Sequence, residues 1–457
     1  MKLPRALSRP VTMDASGQRN WLYPQKVTGY FSKRREWVSW ALLLFYLAVP
    51  WVRIDGLPAL KLDIVEQHFI IWGTTYWPQD VKYLVFVLIG AAILLFFVTS
   101  LAGRLWCGWA CPQTVFLEFV FHRIENLIEG DRNKRIALDK GPWNAVKIGK
   151  KLLKHAIFLA VGFVIANTFL AYFKSTEEVL EWIGRPPYEN WGAFLFMLAN
   201  FVVFYLNFAW FREQFCTILC PYARFQSALV DKHTLQVTYD YNRGEPRGKV
   251  KKAEGDCIDC KACIRVCPTG IDIRNGVQLE CIGCTNCIDA CDNIMERINK
   301  PKGLIRYSSE AQMEDQQQRL IRPRVVIYAS FLVILSIGFF WSLAVRPLVE
   351  FTIIRAPGEP YTLLEGKTVS NHLSLRLLNK DQVDHNITVK VSGAEDARLI
   401  VPVQPFPLPA NSLKRMELFV NIPQANMPSG KQAITLLLFS DDREIAESST
   451  FILGPIL

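Results

Sequence analysis

Residues 257–291 read CIDCKACIRVCPTGIDIRNGVQLECIGCTNCIDAC and hold eight of the twelve cysteines of this 457-residue chain. The first half has the spacing C-x2-C-x2-C-x3-C-P, and the second half repeats C-x2-C-x2-C-x3-C. Thiolates at this spacing lie on tight loops that cap one face of an iron–sulfur cubane. The stretch therefore predicts two 4Fe–4S clusters and an electron-transfer role for this part of the chain.

The spacing also predicts which cysteines share a cluster, because the fourth cysteine of each run binds the other cluster in bacterial two-cluster ferredoxins. The first predicted ligand set is Cys257, Cys260, Cys263 and Cys291, and the second is Cys281, Cys284, Cys287 and Cys267. Paired C-x2-C units also bind zinc, but the doubled run fits zinc poorly. Asp292 replaces the proline that usually follows the second run, so a looser second turn is expected.

Apolar runs outside this segment predict membrane helices. Four runs are close to the ~20 residues that span a bilayer, and a fifth is shorter. They cover residues 83–101, 156–173, 191–211, 325–345 and, for the shorter run, 37–52. None contains Asp, Glu, Lys or Arg. We therefore expect a five-helix transmembrane region.

Charge alternates between the connecting segments, and this predicts their side of the membrane. Residues 1–36 hold eight basic and two acidic residues, and residues 122–154 hold nine and four. The segments 53–80 and 174–190 each hold two basic and four acidic residues. Since basic loops stay cytoplasmic, the N-terminus is expected inside and the C-terminus outside. The net charge of +10 is thereby explained without a nucleic-acid partner.

These patterns divide the chain into six predicted parts of a multi-domain membrane protein. They are a cytoplasmic basic segment (1–36), a four-helix membrane region (37–230), a cytoplasmic ferredoxin-like α+β domain (231–300), a linker (301–323), a fifth transmembrane helix (324–346) and a periplasmic domain (347–457). Residues alternate in hydrophobicity at 373–377, 387–391, 416–420 and 434–438. Such alternation predicts that the last domain is an all-β immunoglobulin-like sandwich.

The four remaining cysteines form a repeated C-x3-C-P unit, WCGWACP at 106–112 and FCTILCP at 215–221. Each follows a predicted span, and the topology places both at the cytoplasmic face. In a helix, residues i and i+4 share one side, while a following proline disfavours helical geometry. Four thiols from two helix ends could surround a soft ion such as Cu(I). Packing of small apolar residues and cluster ligation remain alternatives. The four are Cys107, Cys111, Cys216 and Cys220.

Other polar residues give weaker signals. No histidine lies well inside a predicted span, which argues against a bis-histidine haem. His122 and His233 follow the two units and could assist a metal, although a solvated interfacial histidine is the simpler interpretation. Arg104 and Arg212 mark the membrane edge and are expected to snorkel to the interface. Motifs for nicotinamide or ATP binding are absent from the sequence.

Together, these features resemble the cytochrome c oxidase accessory family called CcoG, FixG or RdxA. The resemblance covers nearly the whole chain: YPQKVTGYFSKRREWVSW near the N-terminus, both C-x3-C-P units, the double-cluster run and a final span before a β domain. The C-x3-C-P units alone also resemble those of the membrane polyferredoxins NapH and NosR, and the C-terminal domain favours the accessory family.

The resemblance implies reduction of Cu(II) to Cu(I) for assembly of cbb-type cytochrome oxidase in the bacterial inner membrane. It implies that Cys107, Cys111, Cys216 and Cys220 handle copper, with oxidase assembly factors and copper transporters as partners and an unidentified electron donor. Two other functions remain open. One is a general membrane electron conduit from quinol or a soluble donor, and the other is a non-enzymatic copper chaperone or assembly scaffold.

Overall fold

The computed structural model describes residues 12, 16, 18–65, 67–249, 254–365, 367–427, 429–440 and 443–456. Most of the first seventeen residues of the predicted basic segment lie outside this description. The chain divides into two compact units, Met1–Gly338 and Phe339–Leu457. The first contains the ferredoxin-like segment and the helices up to Gly338, and the second contains the last turns of the final helix and the β domain.

The N-terminal part of the first unit begins with a long helix and continues into short antiparallel strands. Its elements are α1 (Tyr30–Ala48), β1 (Arg53–Ile54), β2 (Leu57–Pro58), β3 (Leu60–Asp63), β4 (His68–Ile71) and β5 (Thr74–Tyr76). β1 pairs with β2, and β3, β4 and β5 form a three-stranded sheet.

The central part of the first unit is helical. Its helices are α2 (Val81–Ala102), α3 (Leu105–Trp109), α4 (Pro112–Phe116), α5 (His122–Ile128), α6 (Arg132–Lys140), α7 (Ala145–Ala171), α8 (Thr176–Gly184), α9 (Trp191–Leu206) and α10 (Pro221–Leu229). Three π-helical turns interrupt this series, at Leu117–Phe121, Asn207–Phe211 and Phe215–Leu219. π-Helical turns are rare in proteins, and those that do occur are often found at functional sites.

Four helices among the described residues have the length and composition of membrane spans: Pro78–Ala102, Ala145–Ala171, Trp191–Phe211 and Pro323–Ala344. α1 is not among them, because its 19 residues include the charged run from Lys33 to Glu36. The predicted five-helix region is therefore wrong in its count. The expected cytoplasmic N-terminus, which depends on a fifth crossing, consequently loses its support.

α1 packs lengthwise beside α7. Near its C-terminal end, the Tyr46 hydroxyl donates to the Ile165 carbonyl over 2.7 Å. Just beyond α1, Leu62 N donates to the carbonyl oxygen of Tyr172 over 2.7 Å. Near its N-terminal end, Arg35 contacts α3. The two ends of α1 thus contact residues at opposite ends of the helical bundle.

The ferredoxin-like segment has little regular structure. Its elements are β6 (Gln236–Tyr239), α11 (Tyr241–Gly244), α12 (Ala262–Arg265), α13 (Asn286–Arg297), β7 (Ile305–Ser308) and α14 (Glu310–Met313). β7 lies in the segment expected to be a linker and pairs with β6, closing a two-stranded sheet. At the position of the missing proline, α13 continues, and Asp292 accepts a hydrogen bond from Gly303 N over 2.8 Å. The expected looser turn is therefore not found at this position, which lies within a continuous helix, and Asp292 instead anchors the loop that follows α13.

The last helix and the β domain complete the chain. They are α15 (Pro323–Ala344), β8 (Val349–Arg355), β9 (Thr362–Leu364), β10 (Thr368–Asn379), β11 (His385–Ser392), β12 (Arg398–Ile400), β13 (Phe406–Leu408), β14 (Leu413–Pro423), β15 (Lys431–Ser440) and β16 (Arg443–Leu453). One sheet has the order β12-β14-β10-β8, with β9 also on β10, and the other has the order β13-β11-β15-β16. Alternate residues of both sheets share one buried core, so the predicted sandwich is confirmed.

Candidate functional site

The second predicted ligand set lies around one small cavity. Cys267, Cys281, Cys284 and Cys287 all line it. Backbone N–H groups of Thr269, Gly270 and Ile271 point at the Cys267 sulfur and oppose the rise in pKa that burial causes. Amides directed at a sulfur in this way also tune bound clusters.

The cysteines of the first predicted ligand set lie near one another, and one of them, Cys263, also lines the cavity of the second set. Burial raises the pKa of the Cys291 thiol, and Cys263, Cys260 and Cys257 raise it further. A thiol acts on its neighbour's pKa in this way only at short range. The four sulfurs predicted to bind the first cluster are therefore neighbours.

The residues present fit two 4Fe–4S clusters. All eight thiols are buried or half-buried. Cys263, predicted to belong to the first set, also lines the cavity of the second, so the two predicted sets adjoin each other and their division stays a prediction. Among the described residues, no three His, Cys, Asp or Glu side chains approach closely enough to hold a single metal ion. A zinc site requires such convergence, whereas a cubane keeps its four thiolates further apart.

The two C-x3-C-P units have the same local design. Cys107 lies in α3, and Cys216 lies in the π-helical turn Phe215–Leu219. Cys111 and Cys220 are extended, with ψ of 125° and 115°, and each is the N-cap of a helix that starts with proline. Proline is favoured at that first position because its missing N–H is not needed there. The predicted breaks are confirmed, and the two cysteines of a unit do not share one continuous helix.

The structure brings these four thiols together. Burial raises the pKa of the Cys216 thiol. The nearby thiols of Cys111, Cys107 and Cys220 raise it further by electrostatic repulsion. The pKa of the Cys107 thiol is raised to about 12, chiefly by burial, against the opposing effect of Arg104. Since such effects require proximity, the thiols of the two C-x3-C-P units lie near one another, although no three of them are close enough to hold one metal ion among the described residues. We call these four the membrane-edge thiols.

Cys281 is the link between the membrane-edge thiols and the second ligand set. It is among the charges that raise the pKa of Cys107. The cysteine loop of the ferredoxin-like segment therefore lies beside the first C-x3-C-P unit. The second ligand set is the one nearer to the membrane helices.

Polar contacts hold the two C-x3-C-P units beside each other. The Arg104 guanidinium, at the start of α3, donates to the Gln226 side chain and, over 2.6 Å, to the Ala223 carbonyl oxygen of α10. Gln113, next to the first unit, donates to the Arg212 carbonyl oxygen over 3.2 Å, just before the second. Arg104 is 5% exposed. The expectation that Arg104 snorkels to water is therefore wrong, because it bridges the two units instead.

Arg212 also differs from expectation. It is buried, and its guanidinium contacts the Glu125 carboxylate over 2.8 Å. Arg135 contacts the same carboxylate over 3.1 Å. Burial alone would raise the pKa of Glu125, but Arg212 and its neighbours lower it to about 2. Arg212 thus stays charged inside the protein and does not extend to the interface.

His122 belongs to this buried ion cluster. It is 7% exposed, so the expected solvated interfacial histidine is wrong. Burial, followed by the positive charge of Arg212, lowers its pKa to about 3. His233 is half-buried on the other side of the second unit and accepts a hydrogen bond from Arg319 N over 3.5 Å. Neither histidine belongs to a group that could hold a metal ion among the described residues.

Arg35, a buried arginine that the sequence pattern did not indicate as important, joins the ferredoxin-like segment to the first C-x3-C-P unit. Arg35 of α1 is 1% exposed. Its guanidinium donates to the Gly108 carbonyl oxygen over 2.8 Å, to Asn286 over 2.9 Å and to Glu118 over 2.8 Å. Burial opposes its charge, and Glu118 and then Cys284 favour it. The Arg35 side chain therefore connects α1 to the first C-x3-C-P unit, to the ferredoxin-like segment at Asn286 and to the π-helical turn that carries Glu118.

Comparisons with known families follow the same divisions. A family described as "4Fe-4S dicluster domain" matches residues 211–310. A family described as "4Fe-4S binding domain" matches residues 83–135, where Cys107 and Cys111 are the only cysteines. The family described as "IG-like fold at C-terminal of FixG" matches residues 339–455.

Similar proteins match over almost their full length. Protein RdxA of Cereibacter sphaeroides is 35% identical, over 93% of this chain and 94% of RdxA. The nitrogen fixation protein FixG of Rhizobium meliloti is 31% identical, over 92% of this chain and 90% of FixG. Protein RdxB of Cereibacter sphaeroides is 32% identical, over 95% and 96% respectively. The chain is a membrane iron–sulfur electron-transfer protein and belongs to the FixG/RdxA family.

Proposed function

We propose that this protein reduces Cu(II) to Cu(I) at the membrane-edge thiols, for assembly of a cbb-type cytochrome c oxidase. The observation that carries the proposal is that the thiols of the two C-x3-C-P units lie close enough to act on one another's pKa, with Cys281 beside Cys107. Binding of one copper ion would draw them closer, because no three of them are near enough to hold a metal ion among the described residues. When bound, the 4Fe–4S clusters supply one-electron transfer. Each copper ion takes up one electron, with no exchange of atoms.

The chain's own residues would favour the reduced product. Thiolates are soft ligands and prefer Cu(I), so binding the product makes the reduction more favourable. Burial raises the pKa of the Cys107 and Cys216 thiols, and a bound ion would displace their protons. Arg104 would hold the two units at a fixed separation through Ala223 and Gln226.

The proposal includes an orientation. The end of the bundle that carries the thiols and the ferredoxin-like segment would face the cytoplasm, because residues 122–154 hold nine basic and four acidic residues and basic loops stay inside. The β domain follows the last candidate span, so it would lie in the periplasm. Oxidase assembly factors and copper transporters would be its partners.

The test uses the cluster-loaded protein, reduced with dithionite, desalted and mixed with Cu(II) and a chromogenic Cu(I) chelator. We expect Cys107→Ser and Cys216→Ser to lower copper reduction at least about tenfold while the iron content stays unchanged. Thr217→Ala, beside Cys216, is the matched control. Copper reduction at the wild-type rate in both cysteine variants would overturn the role assigned to these thiols.

A second candidate function is a longer electron conduit in which the membrane-edge thiols bind a further iron–sulfur cluster. The "4Fe-4S binding domain" match over residues 83–135 favours it. Two 4Fe–4S clusters correspond to about eight iron atoms per chain and three to about twelve. Iron analysis distinguishes the two functions, because the conduit predicts that Cys107→Ser removes about four iron atoms.

A further inference from the structure

The ferredoxin-like segment carries a basic concavity on its surface. It has a volume of about 400 Å³ and is lined mainly by charged residues. The lining consists of Arg247, Gly248, Lys249, Asp259, Lys261, Asp272 and Arg274. None of these residues has a role in the cluster ligation or the copper chemistry described above.

Residues that line the concavity lie next to cysteines of the first ligand set. Gly248 N donates to the Cys257 carbonyl oxygen over 3.1 Å. Asp259 and Lys261 flank Cys260 in the sequence. Arg274 is close enough to Cys263 for its charge to act on that thiol. The concavity is therefore the outer surface over the first ligand set.

The charge available in the concavity is positive. The lining holds four basic and two acidic residues. Arg274 contacts both acidic residues, Asp272 over 2.7 Å and Asp259 over 2.5 Å, so the other basic residues leave a positive net charge. Lys249 and Lys261 are exposed and have no ion pair within the described ranges. A partner with negative charge would supply the missing complement.

The second ligand set cannot offer a comparable surface, since its loop is covered. A Cβ atom on Gly283 would lie 3.2 Å from the Arg104 carbonyl oxygen, so the loop packs directly on the first C-x3-C-P unit. Cys281 also acts on Cys107. The first ligand set thus faces outwards while the second faces the membrane-edge thiols.

We propose that the basic concavity is the docking surface for a soluble, acidic protein that carries one electron. The carrier gives up one electron and this chain accepts it, with no proton or atom transferred. Transient redox complexes bury less than about 1,200 Å² and depend on electrostatic steering. An exposed, positively charged surface over a predicted cluster site suits such an encounter. The inference rests on the electron-transfer role and is independent of copper.

The test measures binding of the full-length, cluster-loaded protein in nanodiscs to an acidic flavodoxin. The double variant Lys249→Glu/Lys261→Glu is compared with Lys232→Glu/Lys302→Glu, which reverses two lysines of the same segment outside the concavity. We expect the first double variant to raise the Kd about tenfold or more at low ionic strength. In 1 M salt the difference should vanish, because screening extends over only about 3 Å.

Reduction kinetics give a second measurement. The second-order rate with reduced flavodoxin should fall with the affinity in the first double variant, while dithionite should reduce all variants equally. Equal losses in both double variants would overturn the proposal, as would unchanged binding in the first. Reduction by a membrane quinol without flavodoxin binding would also overturn it. Copper reduction by dithionite-reduced protein is a separate assay, so failure of either proposal can be recognised by itself.

Discussion

Gly108 lies in direct backbone contact with Gly283. A Cβ atom on Gly108 would lie 2.8 Å from the Gly283 carbonyl oxygen and 2.6 Å from that of Ile282. Gly283 has a φ of +67°, a conformation that glycine adopts without steric cost. Two glycines thus allow the cysteine loop of the ferredoxin-like segment to touch the first C-x3-C-P unit.

This contact predicts that Gly108→Ala weakens the docking of the loop. The methyl group would meet backbone atoms, which cannot move away as a flexible side chain can. We expect a loss of about 1–3 kcal/mol in the free energy of unfolding, with faster hydrogen exchange at residues 281–286. Gly149→Ala is the matched control, because its Cβ would have no atom within 4 Å. Equal stability of the two variants would contradict a tight contact.

Arg35 supports the same junction through its charge. Arg35→Met leaves the Glu118 carboxylate, which is 11% exposed, without its partner. Removal of one member of a buried ion pair costs about 3–5 kcal/mol. We expect a corresponding fall in thermal stability, measured in detergent with the clusters bound.

Two further variants show whether the lost pairing is the cause. Arg35→Met/Glu118→Gln removes both charges and should recover part of the stability. Arg34→Met changes the exposed neighbour and should stay within about 0.5 kcal/mol of the wild type. If the double variant were as unstable as Arg35→Met alone, the loss would come from the hydrogen bonds to Gly108 and Asn286.

The 4Fe–4S dicluster domain could be predicted from the sequence because its cysteine spacing is local. The roles of Arg104 and Arg212 could not, since their partners Ala223 and Glu125 lie 119 and 87 residues away. In a sequence, an arginine that extends to water from the end of an apolar run cannot be told from one that forms a buried ion pair or hydrogen bond. Helix α1 was miscounted for a related reason, because the helix begins at Tyr30 and takes in the charged run before Trp37.

Iron removal should unfold the ferredoxin-like segment and leave the β domain intact. The core beneath β6 and β7 includes Cys257, Cys263 and Cys291, so ligand binding and folding are coupled there. The β domain's core contains no cysteine among its described residues. After chelation, we expect β6, α13 and β7 to lose hydrogen-exchange protection while β10, β14 and β15 keep theirs. Protection that persists in α13 would show that packing alone maintains this fold.

His122 should make stability depend on pH between 7 and 5. Its pKa is lowered from 6.5 to about 3 in the folded protein. Below pH 6.5 the unfolded chain therefore takes up a proton that the folded protein does not, and stability falls by up to about 1.4 kcal/mol per pH unit. Glu125 shifts in the same direction, from 4.5 to about 2, so its effect begins only at lower pH. We expect His122→Gln to flatten the fall in thermal midpoint between pH 7 and 5. An unchanged slope in this variant would assign the effect to another group.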